Sequence, residues 1–319
     1  RDYYASRGLG DVYKRQGLFS YENAGVGIPK NAPKKKGIAR FFELFIRKFW
    51  KIAEVNILYS LFFIPILVAV YALFKVSNQS AKLMMIIFCL LVFAAVIGPA
   101  TAGMFKILRN FTIEKHAFIL TDFKKAFSEN YKKSTAMSII NILVYTSVSA
   151  ATYVYPRLAK AYDNKLLLVP FVLCISIAVV LTIMNFYSYL MIVATDISFK
   201  NVLKNSFVLS FVALKKNLLT LLISIVIAAL FVVAIIWNMS FLFLLPFVPA
   251  AIICFIICFN SYPVIQKYVI NPYYERTGET NPELDPLSGS DKNEVLFEDK
   301  GGSEKPVEKK KSKKGKVIS

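Results

Sequence analysis

Charged residues are scarce in this 319-residue chain, and histidine is nearly absent. Asp, Glu, Lys and Arg make up 18% of the residues, and His116 is the single histidine. Soluble domains usually carry about a quarter charged residues. A zinc site or a histidine-based catalytic dyad has little material here, and the sequence has no Walker-type phosphate loop and no G-x-S-x-G elbow. We therefore expect a non-enzymatic protein without catalytic residues, cofactor or metal.

Long apolar runs take the place of the missing charge. Hydrophobic residues make up 56% of the chain, and its mean hydropathy is +0.52. An α-helix needs about 20 apolar residues to cross the hydrocarbon core, and six runs reach that length: 52–74, 83–105, 134–155, 166–195, 218–237 and 241–262. They predict an all-α, polytopic membrane helix bundle, surrounded by lipid, with about six transmembrane helices and cytoplasmic amphipathic helices.

The number of spans is open between five and six. Only Asn238–Ser240 separate the last two runs. These runs form either a helical hairpin or a single span followed by a re-entrant piece broken at Pro246 and Pro249.

Lysine and arginine are distributed unevenly between the connections. Thirty lie in residues 17–51, 106–133, 196–217 and from 267 onward, whereas five lie in the intervening loops. Basic residues favour the cytoplasmic side of a membrane, so we expect a multi-pass protein with both termini cytoplasmic. The same pattern explains the net charge of +19 without a nucleic-acid partner.

Composition divides the chain into four segments. Residues 1–16, RDYYASRGLGDVYKRQ, resemble a translated library adapter and are expected to be non-native. Residues 17–51 form a basic cytoplasmic segment with an interfacial helix, and residues 52–270 form the transmembrane domain. Residues 271–319 mix proline, glycine and both charge signs and predict a disordered, lysine-rich cytoplasmic tail, which either rests on anionic lipid or is simply solvated.

The second apolar run ends in small residues, within GPATAGMFKILRNF. Two series recur every four residues, namely Ala94, Gly98 and Ala102, and Ala95, Pro99 and Gly103. Such a stripe lets a neighbouring helix approach closely in lipid. Pro99 is expected to bend the helix, and the Thr101 hydroxyl is a candidate partner for the freed carbonyl. The alternative is a substrate path lined by the bend.

Two amphipathic helices are predicted on the cytoplasmic face. In the first, Leu120, Phe123, Phe127 and Tyr131 recur at helical spacing, with Thr121 or Asp122 as N-cap. In the second, Phe199, Leu203, Phe207 and Phe211 step by four. Each helix either docks a cytoplasmic partner or lies in the headgroup layer. The common order of span, amphipathic helix and span suggests an internal repeat.

Three stretches resemble the YesL-like family, a group of bacterial membrane proteins whose domain has no assigned function. They are FWKIAEVNILYSLFFIPI, which contains Asn56 and Pro65, GPATAGMFKILRNF, and DFKKAFSENYKKS. The resemblance covers roughly residues 36–267 and is more specific in the first half. It implies a plasma-membrane protein of Gram-positive-type bacteria. Relatives are often encoded beside carbohydrate ABC transporters and glycan-degrading enzymes, which is an associational argument only.

Three functions are compatible with these features. The first is an accessory component of a carbohydrate-uptake system that contacts ABC-transporter subunits. The second is a stand-alone transporter or channel for a small neutral solute, with its path at Gly98–Gly103. The third is structural membrane organisation or lipid binding. Oligomeric state and substrate are left open.

Overall fold

The structure is a computed structural model that describes residues 37–278, 281 and 283. The predicted adapter at 1–16, most of the basic segment and most of the tail lie outside these residues. The chain divides into two units, Arg1–Glu43 and Leu44–Ser319. Of the first unit, only residues 37–43 are described, and they form the start of a helix.

The described residues are almost entirely helical. The α-helices are α1 (Gly37–Ser60), α2 (Ile64–Lys75), α3 (Gln79–Thr112), α4 (Ile119–Glu129), α5 (Tyr131–Ala161), α6 (Val169–Ala194), α7 (Phe199–Val212), α8 (Leu214–Trp237), α9 (Pro249–Ile265) and α10 (Asn271–Thr277). Short 3-10 helices cover Leu61–Phe63, Lys165–Leu168 and Met239–Leu244, and a π-helical turn covers Gln266–Ile270.

Among the described residues, six helical segments are long and apolar enough to cross a membrane: Gly37–Lys75, Gln79–Thr112, Tyr131–Ala161, Lys165–Ala194, Leu214–Trp237 and Pro249–Thr277. The predicted all-α polytopic bundle is confirmed, and the protein is a multi-pass membrane protein. The expected sixth boundary was wrong. The run predicted at 241–262 begins as a 3-10 helix and turns into α9 only at Pro249, because neither Pro246 nor Pro249 has a backbone N–H to donate.

The bundle has two distinct ends. The basic end carries residues 44–51, 106–133 and 196–217, and contacts join these segments. Arg47 pairs with Glu114, Lys106 donates to the Val193 carbonyl at 3.4 Å, and Lys133 donates to the Ile197 carbonyl at 2.8 Å. The opposite end carries the connections at 76–78, 162–168 and 238–240.

Helix α3 is central and contacts α2, α4, α5, α6 and α9. Its 34 residues span about 51 Å at 1.5 Å per residue, well beyond a hydrocarbon core of about 30 Å. Residues 98–100 and 102–105 are buried, as are 107–112. The buried part of α3 is therefore the half of the helix that leads to the basic end.

Both predicted amphipathic helices exist and pack against the preceding span, α4 on α3 and α7 on α6. The predicted start of α4 was wrong. The helix begins at Ile119 after Phe118, and the Asp122 carboxylate accepts a hydrogen bond from the Phe118 backbone N–H at 3.0 Å. Ser198 caps α7, accepting from the Asn201 N–H.

The predicted disordered tail cannot begin at residue 271. Residues Asn271–Thr277 form α10, which ends at Gly278 in a left-handed conformation with φ of 70°. Beyond it, Asn281 bonds to Asn271 through their side-chain amides at 3.0 Å. Asn271 and Pro272 allow a helix here because proline is tolerated in the first turn.

Candidate functional site

Gly98 lies where α3 and α5 touch. A methyl group added at Gly98 would lie 2.2 Å from the Ser134 carbonyl oxygen and 2.8 Å from the Ser138 hydroxyl. Real side chains do not approach backbone this closely, so only glycine allows the two helices to meet here. Ser138 also donates to the Ala94 carbonyl at 3.0 Å. The small-residue stripe is thus a helix–helix contact.

The carbonyl freed by Pro99 belongs to Ala95, and its partner comes from another helix. Thr135 of α5 donates its hydroxyl hydrogen to Ala95 O at 3.2 Å. Thr101, the partner expected from the sequence, instead donates to Ile97 O at 2.7 Å. Helix α3 continues through Pro99 because the neighbouring span supplies the missing bond.

The C-terminal part of the small-residue stripe, at Ala102 and Gly103, packs against α4. A methyl group at Gly103 would lie 2.9 Å from the Phe123 ring, and Ala102 is fully buried. Phe123 and Phe127 both stack on Phe62, with ring centroids 5.7 and 5.4 Å apart. Phe123 is only 3% exposed, so its ring holds α4 against the bundle and presents little surface to a docking partner.

The remaining docking candidates are more accessible. Tyr131 and Phe207 are exposed, and Phe127, Phe199 and Leu203 are half-buried. Helix α7 packs through Val202, Ser206 and Leu209, with Ser188 of α6 donating to the Ser206 hydroxyl at 2.8 Å. The aromatic stripe of α7 therefore lies largely off the buried face.

Asn56 and Pro65 lie beside two breaks in the helices. Asn56 donates to the Leu245 carbonyl at 2.9 Å and accepts from the Ala251 N–H at 2.7 Å. Its amide thus satisfies backbone groups on both sides of the irregular stretch before α9, which lipid could not do. Pro65 stands in the first turn of α2, directly after the 3-10 helix Leu61–Phe63.

A groove of about 580 Å³ lies between α3, α5 and α6, with one residue from α9. All fifteen lining residues are uncharged, and nine carry a hydroxyl or amide group. The nine polar residues are Thr101, Ser138, Asn141, Tyr145, Thr146, Ser149, Thr182, Asn185 and Tyr189. Aromatic rings complete it, including Phe105 and Tyr189, which stack at 5.6 Å.

Hydrogen bonds hold the polar side chains of the groove in place. Asn141 and Asn185 exchange amide hydrogen bonds of 3.1 and 2.9 Å. Tyr145 pairs with Thr182 at 2.8 Å. A primary amide has two N–H donors and two acceptor lone pairs, and Asn141 Nδ2 also donates to the Tyr189 hydroxyl at 3.5 Å. The remaining capacity of the two amides and the nearby rings can bind a neutral, hydroxyl-rich molecule.

The groove lies beside the predicted path but does not coincide with it. Thr101 and Ile97 line it, whereas Gly98, Pro99, Ala102 and Gly103 are outside its lining and buried in helix contacts. The residues predicted to line a path at the glycine bend therefore lie mostly outside this groove. Asn141 and Asn185 were visible in the sequence as isolated polar residues within spans, but no pattern indicated that they pair.

Comparison with known proteins gives one match. No curated protein matches the chain, and neither does any solved structure. A family model described as "Protein of unknown function, DUF624" matches residues 41–153, from α1 to the middle of α5. The chain is similar to this family model over those residues, which make up about a third of its length.

Proposed function

We propose that this protein binds and conducts a small neutral solute through the groove between α3, α5 and α6. The observation that carries the proposal is the lining itself, uncharged throughout and rich in amide and hydroxyl groups. Ion-coupled carriers usually place ionisable residues within their spans. A sugar or polyol needs hydrogen-bond partners and aromatic faces, which this groove supplies.

The exposure of the groove supports a ligand-facing role. Tyr145, Thr146 and Ser149 are exposed although they lie within a predicted span. Hydroxyls facing lipid are unfavourable unless they bond to backbone or to a partner, and Ser149 already bonds to the Tyr145 carbonyl at 2.9 Å. A polar solute would use the remaining hydrogen-bonding capacity.

Solute flux into proteoliposomes tests this function. Stopped-flow light scattering would follow reswelling with glycerol, sorbitol, glucose or maltose. For the solute that enters fastest, we expect Asn185→Leu to slow entry about tenfold, the loss that corresponds to about 1.4 kcal/mol of hydrogen bonding.

Thr152→Val is the matched control, because Thr152 is exposed on α5 and bonds only to its own helix at the Val148 carbonyl among the described residues. The control should conduct normally. Wild-type vesicles that reswell no faster than protein-free vesicles with all four solutes would refute the proposal.

We infer a second candidate function, that of an accessory component of carbohydrate uptake, from the surface of α7. Phe207 and Phe211 are 50% and 53% exposed, and exposed aromatic side chains suit a protein interface. The resemblance to the YesL-like family supports an ABC-transporter partner and a bacterial plasma membrane. The uneven distribution of lysine and arginine supports a cytoplasmic basic end.

Site-specific photocrosslinking in native membranes tests the accessory role. A crosslinking residue at Phe211 should recover a permease or ATPase of a sugar transporter. The same residue at Ile236, which is exposed at the opposite end, should not. Recovery of no transporter component from Phe211 would exclude this role.

A further inference from the structure

A buried ion pair lies at the basic end, away from the groove. Arg109 near the end of α3 and Glu283 beyond α10 have side chains only 3% and 2% exposed. Arg109 Nη2 donates to Glu283 Oε1 at 2.8 Å, and the guanidinium lies 5.0 Å from the ring centroid of Tyr262. These residues are 174 positions apart in the chain.

Neutral donors and a second cation complete the surroundings of the carboxylate. Tyr262 and Gln266 both donate to Glu283 Oε2, at 2.5 and 3.2 Å. Lys115 Nζ lies 4.0 Å from Glu283 Oε1. Gln266 opens the π-helical turn at the end of α9, a distortion that is frequent at functional sites. Three elements thus converge on one carboxylate.

The Glu283 carboxylate does not use all the hydrogen-bond donors of this pocket. Arg109 Nε and Nη1 are buried and have no hydrogen-bond partner among the described residues. Two cations face a single negative charge, and each buried unpaired donor is destabilising. An anion with more oxygens and a second negative charge would use the free donors and balance Lys115.

We propose that Arg109, Lys115, Tyr262 and Gln266 form a binding site for a phosphate monoester, and that Glu283 is a tethered carboxylate that occupies it. A phosphate supplies three terminal oxygens where the carboxylate supplies two. Lys115 is about a third exposed. Of these four residues, it is the charged one that reaches solvent. The ligand replaces the Glu283 carboxylate on these donors.

The tether makes Glu283 an intramolecular competitor. A segment held by a short linker acts at an effective concentration in the millimolar range, so free phosphate should bind weakly to the wild-type chain. Asn281, 6% exposed, strengthens the competitor because it accepts from the Glu283 N–H at 2.9 Å and bonds to Asn271. Removing the charge of Glu283 should therefore open the site.

Phosphate binding to the full-length protein tests the proposal. Binding of radiolabelled orthophosphate to detergent-purified protein forms one arm, and binding to vesicles of phosphatidic acid against vesicles of phosphatidylcholine forms the other. We expect Glu283→Gln to bind one phosphate source about tenfold more tightly than wild type. Glu275→Gln is the matched control, because Glu275 is exposed on α10.

A second variant, Lys115→Met, tests whether phosphate binds in the proposed pocket. Lys115→Met in the Glu283→Gln background should reverse most of the gain, and Lys115 is exposed enough for this change to leave the fold intact. Binding in the orthophosphate arm alone identifies a soluble phosphate, and binding in the phosphatidic acid arm alone identifies a lipid headgroup. Equal binding by Glu283→Gln, Glu275→Gln and wild type in both arms would show that the ion pair is only structural.

Discussion

The two halves of the bundle bury their side chains differently. Towards the basic end, residues 186–195 of α6 and the last turns of α3 are buried on every side. Towards the opposite end, α2 buries only Ala69 and Ala72, and α8 buries no residue after Ser224. Ile236 and Trp237 are 80% and 81% exposed.

This contrast separates two sources of stability. In lipid, apolar side chains gain little by leaving the hydrocarbon for a neighbouring helix, so close packing and hydrogen bonds have to provide the association. The helix contacts at Gly98, Thr135 and Asn56 supply both. We infer that the basic half holds the fold and that the opposite half is stabilised mainly by the bilayer.

Gly98→Ala is expected to cause the largest loss of stability. Its new methyl group would lie 2.2 Å from backbone of α5, and neither helix can move without disturbing the core. We expect a loss of about 3 kcal/mol in unfolding free energy, the upper end of the range for overpacking. Reversible unfolding in mixed detergent–SDS micelles measures it.

The matched control enlarges a side chain in the opposite half. Ala229→Val places its methyl groups on an exposed face of α8 and should change the unfolding free energy by less than about 0.5 kcal/mol. Equal losses in the two variants would remove the distinction between the halves.

Asn56→Leu should have the next largest effect. It leaves the Leu245 carbonyl and the Ala251 N–H without their partner, at a cost of about 2 kcal/mol. The same unfolding experiment measures this loss, and hydrogen exchange at Ala251 should rise. Asn201→Leu, on the exposed side of α7, is the control; an unchanged exchange rate at Ala251 in Asn56→Leu would contradict the bridging role.

The sequence was sufficient to predict the helices and about six candidate spans, because span length follows from hydropathy. It was not sufficient to predict which faces are buried. The period of Phe199, Leu203 and Phe207 is helical, yet α7 packs mainly through Val202, Ser206 and Leu209. In a membrane, an apolar stripe is equally suited to lipid and to protein, so periodicity alone does not distinguish them.

The contacts between distant segments were also hidden. The partner of the Ala95 carbonyl is a hydroxyl forty residues away, and nothing in the neighbourhood of Pro99 indicates it. Arg109 was visible only as part of a basic edge, and Glu283 as one acidic residue of a mixed tail. Their pairing depends on how α3, α9 and the chain beyond α10 converge.

Thr135→Val tests a single hydrogen bond between α5 and α3. It keeps the shape of the side chain but removes the donor to the Ala95 carbonyl, and we expect a loss of about 1 kcal/mol in unfolding free energy. Thr152→Val should change it by less than about 0.5 kcal/mol. A wild-type stability in Thr135→Val would mean that the carbonyl freed by Pro99 needs no partner.

The smallest expected effect is a change in pH dependence at Lys115. Burial, together with the charge of Arg109, lowers the pKa of Lys115 from its ordinary value of 10.5, although Glu283 opposes the shift. A lysine with a lower pKa in the folded state binds fewer protons there than in the unfolded state, so stability rises with pH between the folded pKa and 10.5. Lys115→Met should flatten that rise in unfolding measurements above pH 8. Because Lys115 keeps part of its hydration, the change in slope should be small, and an unaltered slope in Lys115→Met would show that this lysine does not contribute to the rise.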